Sequence, residues 1–262
     1  AQMCAEELGL PVEKVIILSS DTDLTPFDVG AYASSTSYVS GGAVVKATVE
    51  VRTQVAAVLA DHWNCEADSI VFRDGHVTAP DDKSMTISEA ALFALYEAKI
   101  QPMATASHMS NESPPPFAAQ FADVEVDEET GQVWVRRFVS AVDCGTPIHP
   151  IMAEGQVEGA VAQAIGYALF EEVILDRNGK VLNPTFLDYK IACAMDMPEM
   201  TTILVATDEP SGPHGAKAAG EVPIDGPAPA IVNAIRDAVD VRMDRIPATA
   251  ERVWRKLKEA QK

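Results

Sequence analysis

Basic residues are scarce in this sequence. Of its 262 residues, 20 are Lys or Arg and 39 are Asp or Glu, so the formal net charge at pH 7 is −19. A negative charge of this size repels phosphate backbones and anionic lipid headgroups. The composition therefore argues against nucleic acid and membrane surfaces as partners.

Long apolar runs and cysteine clusters are also missing. No stretch reaches the roughly 18 consecutive apolar residues typical of a membrane span, and the first residues, AQMCAEELGL, lack the basic flank and apolar run of a signal peptide. Cysteines stand at positions 4, 65, 144 and 193 without any C-x-x-C pair, so no zinc knuckle or cysteine-ligated iron–sulfur cluster is recognisable. We expect a cytoplasmic protein with ordinary reduced thiols and no membrane span.

The remaining composition is that of a folded globular chain. Apolar residues make up 47% and charged residues 23%, and the length allows one large domain or two small ones. The sequence has no initiating Met, and a helical pattern is already under way in its first ten residues. We therefore expect the chain to be cut from, or encoded apart from, something longer.

Hydrophobic periodicity predicts a mixed α/β (α+β) fold, with mixed sheets and helices. Predicted helices cover a short first segment and residues 34–62, 88–99 (capped by Ser88), 151–170, 228–239 and 248–258. Predicted strands cover residues 15–18, 172–175 and 202–206, and hairpins turn at Asp74-Gly75 and at residues 129–131. Three consecutive prolines at 114–116 interrupt the pattern. We place a boundary nearby, between a first subdomain at 1–110 and a second at 111–262.

Three loop-to-helix junctions are rich in Gly, Ser and Pro. They cover residues 30–43, 144–160 and 211–230. Backbone N–H groups at a helix N-terminus suit anions, although each junction taken singly is better explained as a turn followed by a cap. None of them matches a Walker A loop or a dinucleotide-binding G-x-G-x-x-G.

The third junction holds the one obvious acid–base candidate, Glu221, in the apolar and glycine-rich stretch AKAAGEVP. Burial there would favour the protonated form of the carboxylate and suit a general base, whereas Lys217 would favour the ionised form. Judged without further information, Glu221 is better explained as one of the 39 acidic residues, on a solvated surface. The residues alone leave these alternatives open.

In order and spacing, the three junctions together resemble one family. The matching stretches are DTDLTPFDVGAYASST with GGAVVKA, VEVDEETGQVWVRRFVSAVDCGTPIHP with EGQVEGAVAQAIGYALFEE, NPTFLDYKIACAMDMPEM, and EPSGPHGAKAAGEVPIDGPAPAIVNAI. The sequence resembles the C-terminal half of the molybdopterin-binding subunit of the molybdenum hydroxylases, the xanthine dehydrogenase and aldehyde oxidase family. The resemblance runs over nearly the whole chain.

This resemblance implies a molybdenum–molybdopterin cofactor, with or without an attached nucleotide. Its dithiolene sulfurs would hold the metal, so no protein side chain need be a metal ligand. Glu221 matches the family's catalytic base for hydroxylation with oxygen from water, a reaction that releases two electrons. The expected substrate is an N-heterocyclic or related aromatic molecule, with aldehyde dehydrogenation as the nearest alternative.

The resemblance also implies which residues contact the cofactor. They are Tyr32, Ala33, Ser34, Thr36, Gln156, Lys217 and Gly220. The sequence departs from the family pattern at Ser35, His149, His214 and Ala219, which puts the substrate class in doubt more than the mechanism. The two histidines could tune substrate or cofactor, or could be packed or solvated.

Parts of the family's enzymes are missing from this chain. The first half of the molybdenum domain, the iron–sulfur clusters and the FAD module have no counterpart in the sequence. We therefore expect a companion molybdopterin-binding chain, an iron–sulfur subunit and a flavin subunit, as in split-subunit members such as nicotinate dehydrogenase. A fragment of a longer chain and a noncatalytic, cofactor-binding or structural subunit remain the alternatives.

Overall fold

A computed structural model describes residues 1–261 and confirms a mixture of helices and sheets. The helices are Gln2–Leu8 (α1), Gly41–Trp63 (α2), Ile87–Tyr96 (α3), Pro150–Leu169 (α4), Val222–Asp225 (α5), Pro227–Val239 (α6) and Ala250–Ala260 (α7). The strands are Val71–Arg73 (β1), His76–Ala79 (β2), Lys83–Thr86 (β3), Phe117–Val126 (β4), Val133–Gly145 (β5) and Glu199–Ala206 (β6). Among the described residues, no helix is both long and apolar enough to cross a bilayer.

The chain divides into two compact units. The first consists of residues 1–114 together with 208–217, and the second consists of residues 115–207 and the chain from 218 onward. Residues 208–217 belong to the first unit although they follow residues 115–207 of the second unit in the sequence. A single boundary at residue 110 does not describe this arrangement. The third glycine-rich junction therefore contributes residues to both units.

The first unit packs α2 and α3 on an antiparallel sheet with the order β1-β2-β3. Leu59, Val77 and Ala90 are fully buried in its core. The predicted turn at Asp74-Gly75 is confirmed: both residues have positive φ, 50° and 78°, as the tight turn between two twisted strands requires.

The second unit is built on the sheet β4-β5-β6. Strands β4 and β5 form the predicted antiparallel hairpin, whereas β6 runs parallel to β5 because the chain returns through α4. One face of this sheet packs against α4, α6 and α7, with Phe138, Ile165 and Ile231 almost completely buried. The helix predicted at 151–170 is confirmed as α4.

Two predicted strands are wrong. Residues 15–18 pair with no other strand of the described chain, and Ile16 is 86% exposed. Residues 172–175 contribute only a single bridge, from Leu175 to Val181. A short apolar run forms a strand only where the edge of a neighbouring strand satisfies its backbone N–H and C=O groups. The run itself does not show whether such an edge is present.

Two helix starts also differ from the prediction. The helix expected from residue 34 begins at Gly41, after a π-helical turn at Thr36–Ser40. Helix α3 is capped by Thr86 rather than Ser88: the Thr86 hydroxyl accepts from the Glu89 N–H at 3.2 Å, and the Glu89 carboxylate accepts from the Thr86 N–H at 2.8 Å. This reciprocal pair satisfies two N–H groups, so it prevails over the alternative cap.

Candidate active site

The second unit contains an open cavity of about 640 Å³ beside α4. One wall is a single face of α4, whose lining residues recur at i, i+1, i+4, i+5 and i+8. They are Gly155, Gln156, Gly159, Ala160 and Gln163. The opposite wall is formed by α5 and the two residues before it, with Gly220, Glu221, Ile224 and Asp225.

The helical wall is held in place from its N-terminus. Pro150 occupies the first turn of α4, where its missing N–H costs nothing. The preceding residue, His149, caps the helix, because its Nδ1 accepts a hydrogen bond from the Met152 N–H at 3.3 Å. His149 therefore has a structural role as the cap of α4.

The glycines of α4 fall into two kinds. A Cβ added to Gly155 or Gly159 would meet no atom within 4 Å, so the fold does not require glycine at either position. A Cβ added to Gly166, on the same helix, would meet a Glu171 carboxylate oxygen at 2.1 Å. Glycine inside a helix costs about 0.5–1 kcal/mol relative to alanine, and at Gly155 and Gly159 nothing in the packing offsets that cost.

Glu221 stands at the start of α5 with its side chain exposed at the cavity. Its carbonyl accepts a hydrogen bond from the Ile224 N–H at 3.1 Å, and Pro223 beside it is completely buried. The backbone of the turn is thus anchored while the carboxylate faces open space. The sequence left open whether Glu221 is buried or solvated, and the structure shows it exposed.

The structure brings three predicted site residues to this cavity, namely Gln156, Gly220 and Glu221. It also places Gln163 and Asp225 there, neither of which was predicted from the sequence. Gln163 lies two helical turns after Gln156, so the spacing alone could have identified it. Asp225 reaches the cavity through the turn of α5, for which no local signal exists.

The predicted residues Tyr32, Ala33, Ser34 and Thr36 lie in the first unit. The Tyr32 carbonyl accepts from both the N–H and the hydroxyl of Ser35, at 3.2 and 2.8 Å. Ala33 and Ser34 between them have φ of 48° and 53°, the left-handed region that glycine and asparagine usually occupy. Such residues cost about 1–3 kcal/mol each and often mark functional sites.

Lys217 is the last residue of the segment that returns to the first unit. Earlier in that segment, His214 has a left-handed backbone with φ of 50°. Its Nε2 lies 3.6 Å from a carboxylate oxygen of Glu7, which also forms a 2.8 Å ion pair with Arg52. The His214 side chain is half-buried and lies beside the Glu7 carboxylate within the first unit.

A family model described as the molybdopterin cofactor-binding domain matches residues 1–198. A putative xanthine dehydrogenase molybdenum-binding subunit of Escherichia coli is 36% identical over 261 residues, which cover 97% of this chain and 35% of that protein. The carbon monoxide dehydrogenase large chain of Hydrogenophaga pseudoflava is 31% identical over 270 residues, which cover 99% of this chain and 33% of that protein. The chain thus spans about a third of the length of these relatives.

A solved structure agrees with these matches. Quinoline 2-oxidoreductase from Pseudomonas putida 86 superposes with a TM-score of 0.92 at 32% identity, over 98% of this chain and 34% of that one. The family match covers well over half of the chain, and the relatives are molybdenum oxidoreductases. The chain therefore belongs to the molybdenum hydroxylase family, as part of a molybdopterin-binding subunit.

Proposed function

We propose that this chain supplies the catalytic glutamate and part of the molybdopterin pocket of a molybdenum hydroxylase. The substrate is an N-heterocyclic or related aromatic molecule, hydroxylated at an electron-poor carbon. The observation that carries this proposal is the cavity of the second unit, where Glu221 faces Gln156 and the open glycine positions of α4.

The cavity fits a cofactor of the molybdopterin type. Gln156 and Gln163 offer amide groups that both donate and accept, as a pterin edge needs. Gly155 and Gly159 leave space for a flat group to approach the helix, because a Cβ there would meet no protein atom within 4 Å. When bound, the cofactor would supply the redox centre that accepts two electrons from the substrate.

The residues of this chain would then bind the cofactor and accept a proton from the reacting group. The overall change, R–H + H₂O → R–OH + 2 H⁺ + 2 e⁻, requires a group that accepts a proton while the new C–O bond forms. The exposed carboxylate of Glu221 is the general base in our proposal. Gly220, with no side chain, would let the backbone approach the cofactor closely.

Partner chains complete the proposal. This chain matches about a third of each relative, and two of these relatives are named as a molybdenum-binding subunit and a large chain. We propose that the rest of the molybdopterin-binding subunit, an iron–sulfur subunit and a flavin subunit complete the enzyme and carry the electrons away. Tyr32, Ala33, Ser34, Thr36 and Lys217 stay predicted cofactor contacts, and a dinucleotide form of the cofactor also stays a prediction.

The test is Glu221→Gln in the assembled enzyme, with Glu128→Gln in the exposed hairpin turn as the matched control. Loss of a general base lowers turnover by about 10²–10⁴-fold, so kcat should fall by that factor while molybdenum and pterin contents stay at the wild-type level. The control should keep full activity. Unchanged turnover in Glu221→Gln would refute the catalytic role and favour a noncatalytic, cofactor-binding subunit.

A further inference from the structure

Helix α5, which begins directly after Glu221, is too short to maintain itself. It has four residues, Val222–Asp225, whereas isolated helices need about 12–15 residues to be even marginally stable. Its position, and with it the backbone of Glu221, must therefore come from tertiary contacts. Two side chains of the second unit supply hydrogen bonds to consecutive carbonyl groups of this helix.

The first of these side chains is Gln120, on β4. Its Nε2 donates to the Pro223 carbonyl at 2.8 Å and to the Ser140 hydroxyl at 2.9 Å. Exchanging the amide N and O would set two oxygens against each other at Pro223, so the hydrogen bonds assign the orientation. Gln120 thus connects the sheet to the residue two positions after Glu221.

Gly226 makes room for this amide. A Cβ at Gly226 would lie 1.8 Å from the Gln120 Oε1, although the backbone there, with φ of −86°, suits any residue. The side chain of Gln120 can therefore take its observed position only beside a glycine. The two hydrogen bonds of Gln120 therefore depend on the space that Gly226 leaves.

The second side chain is Tyr167, on α4. Its hydroxyl donates to the Ile224 carbonyl, and the Ile224 N–H donates in turn to the Glu221 carbonyl at 3.1 Å. Burial, and then the nearby charge of Asp225, raise the pKa of Tyr167, so its hydroxyl keeps the proton that it donates. A chain of hydrogen bonds therefore runs from α4 to the backbone of Glu221.

We propose that Gln120 and Tyr167 are positioning residues that hold the Glu221 carboxylate at a fixed place relative to the cavity wall. Tyr167 belongs to the same helix as Gln156 and Gly159, so it ties the glutamate directly to that wall, while Gln120 ties it to the sheet. The catalytic consequence rests on the proposed function of Glu221, whereas the restraint on α5 does not.

The test uses Tyr167→Phe and Gln120→Met in the assembled enzyme. A displacement of about 1 Å in a catalytic group can cost about 100-fold, so kcat should fall about 10- to 100-fold while KM and molybdenum content stay unchanged. Amide hydrogen exchange in residues 222–226 should accelerate in both variants, because α5 loses a restraint.

Two controls remove equivalent groups elsewhere in the second unit. Tyr189→Phe deletes a hydroxyl that donates to Glu171 at 2.7 Å, and Gln132→Met deletes an amide that donates to the Val133 carbonyl at 3.2 Å. Both should keep wild-type kcat and wild-type exchange in residues 222–226. An additional variant, Gly226→Ala, should displace the Gln120 amide and reproduce the effects of Gln120→Met.

Separate outcomes overturn the two proposals. Wild-type exchange in residues 222–226 of both Tyr167→Phe and Gln120→Met would overturn the restraint, whatever the activity. Accelerated exchange with unchanged kcat, in an enzyme that Glu221→Gln inactivates, would overturn the positioning role alone. Accelerated exchange in an enzyme that Glu221→Gln leaves active would overturn the proposed function and leave the restraint intact.

Discussion

Replacing Gly159 by Ala should make the protein more stable and at the same time weaken its hold on the cofactor. Gly159 lies near the middle of α4, where glycine costs about 0.5–1 kcal/mol relative to alanine. The added methyl group would meet no protein atom within 4 Å, so no steric penalty offsets this gain. The free energy of unfolding should rise by that amount, or roughly 1–4 °C in melting temperature.

The same methyl group would project into the cavity that Gln156 and Glu221 line. If the pterin lies against this face of α4, the methyl group occupies space that the cofactor needs. Metal analysis of the purified enzyme should therefore find less molybdenum per chain in Gly159→Ala than in the wild type, although thermal denaturation of the cofactor-free proteins shows that the variant is more stable. Opposite signs in the two measurements separate a binding defect from a folding defect.

Gly166→Ala is the control for this experiment. It makes the same substitution on the same helix, but its Cβ would lie 2.1 Å from a Glu171 carboxylate oxygen, so it should gain no stability. Full molybdenum content in Gly159→Ala would refute the reasoning, because the open glycine face would then not be where the cofactor approaches. A loss of stability in cofactor-free Gly159→Ala, measured against the cofactor-free wild type, would contradict the observation that the position is sterically free.

Two further predictions concern the second unit. The hydrogen bond from Arg252, and then the one from Arg245, lower the pKa of Glu172 below its usual 4.5. These ion pairs therefore stabilise the fold above pH 4.5, and the stabilisation is lost as the pH falls through the lowered pKa of the folded protein. Glu172→Gln should therefore lower the free energy of unfolding in urea at pH 7, and its difference from the wild type should disappear in strong acid. Burial raises the pKa of the Cys144 thiol, so iodoacetamide should modify the exposed Cys193 first and Cys144 only after unfolding, as peptide mass spectrometry can show.

Local signals in the sequence were sufficient for several elements. The hairpin of β4 and β5 follows from alternating residues around a turn at 129–131, and α4 follows from an apolar period that begins just after Pro150. The strand predicted at 15–18 failed because an apolar run says nothing about whether a partner edge is available. The fold class and the hairpin could thus be predicted, whereas the parallel pairing of β6 with β5 and the lack of a partner strand for residues 15–18 could not.

The candidate site likewise has some features that the sequence predicts and others that it does not. The order of its motifs identified the family and singled out Glu221 and Gln156, because the roles proposed for these residues depend on the chemistry of their own side chains. The partners of α5 had no such signal: Gln120 lies 103 positions from Pro223, and Tyr167 lies 57 positions from Ile224. An amide on a strand and a tyrosine on a helix are ordinary until folding brings them to those carbonyl groups.

The sequence by itself therefore determined the chemical inventory, including the acidic charge, the glycine-rich junctions and the glutamate that we propose as a base. Only the tertiary structure decided that Glu221 faces an open stretch of α4, that this stretch needs no glycine for its own packing, and that α5 depends on side chains from two other elements. Side-chain chemistry and local periodicity are encoded over a few residues, whereas the position of a four-residue helix is set by burial and hydrogen bonds from distant parts of the chain.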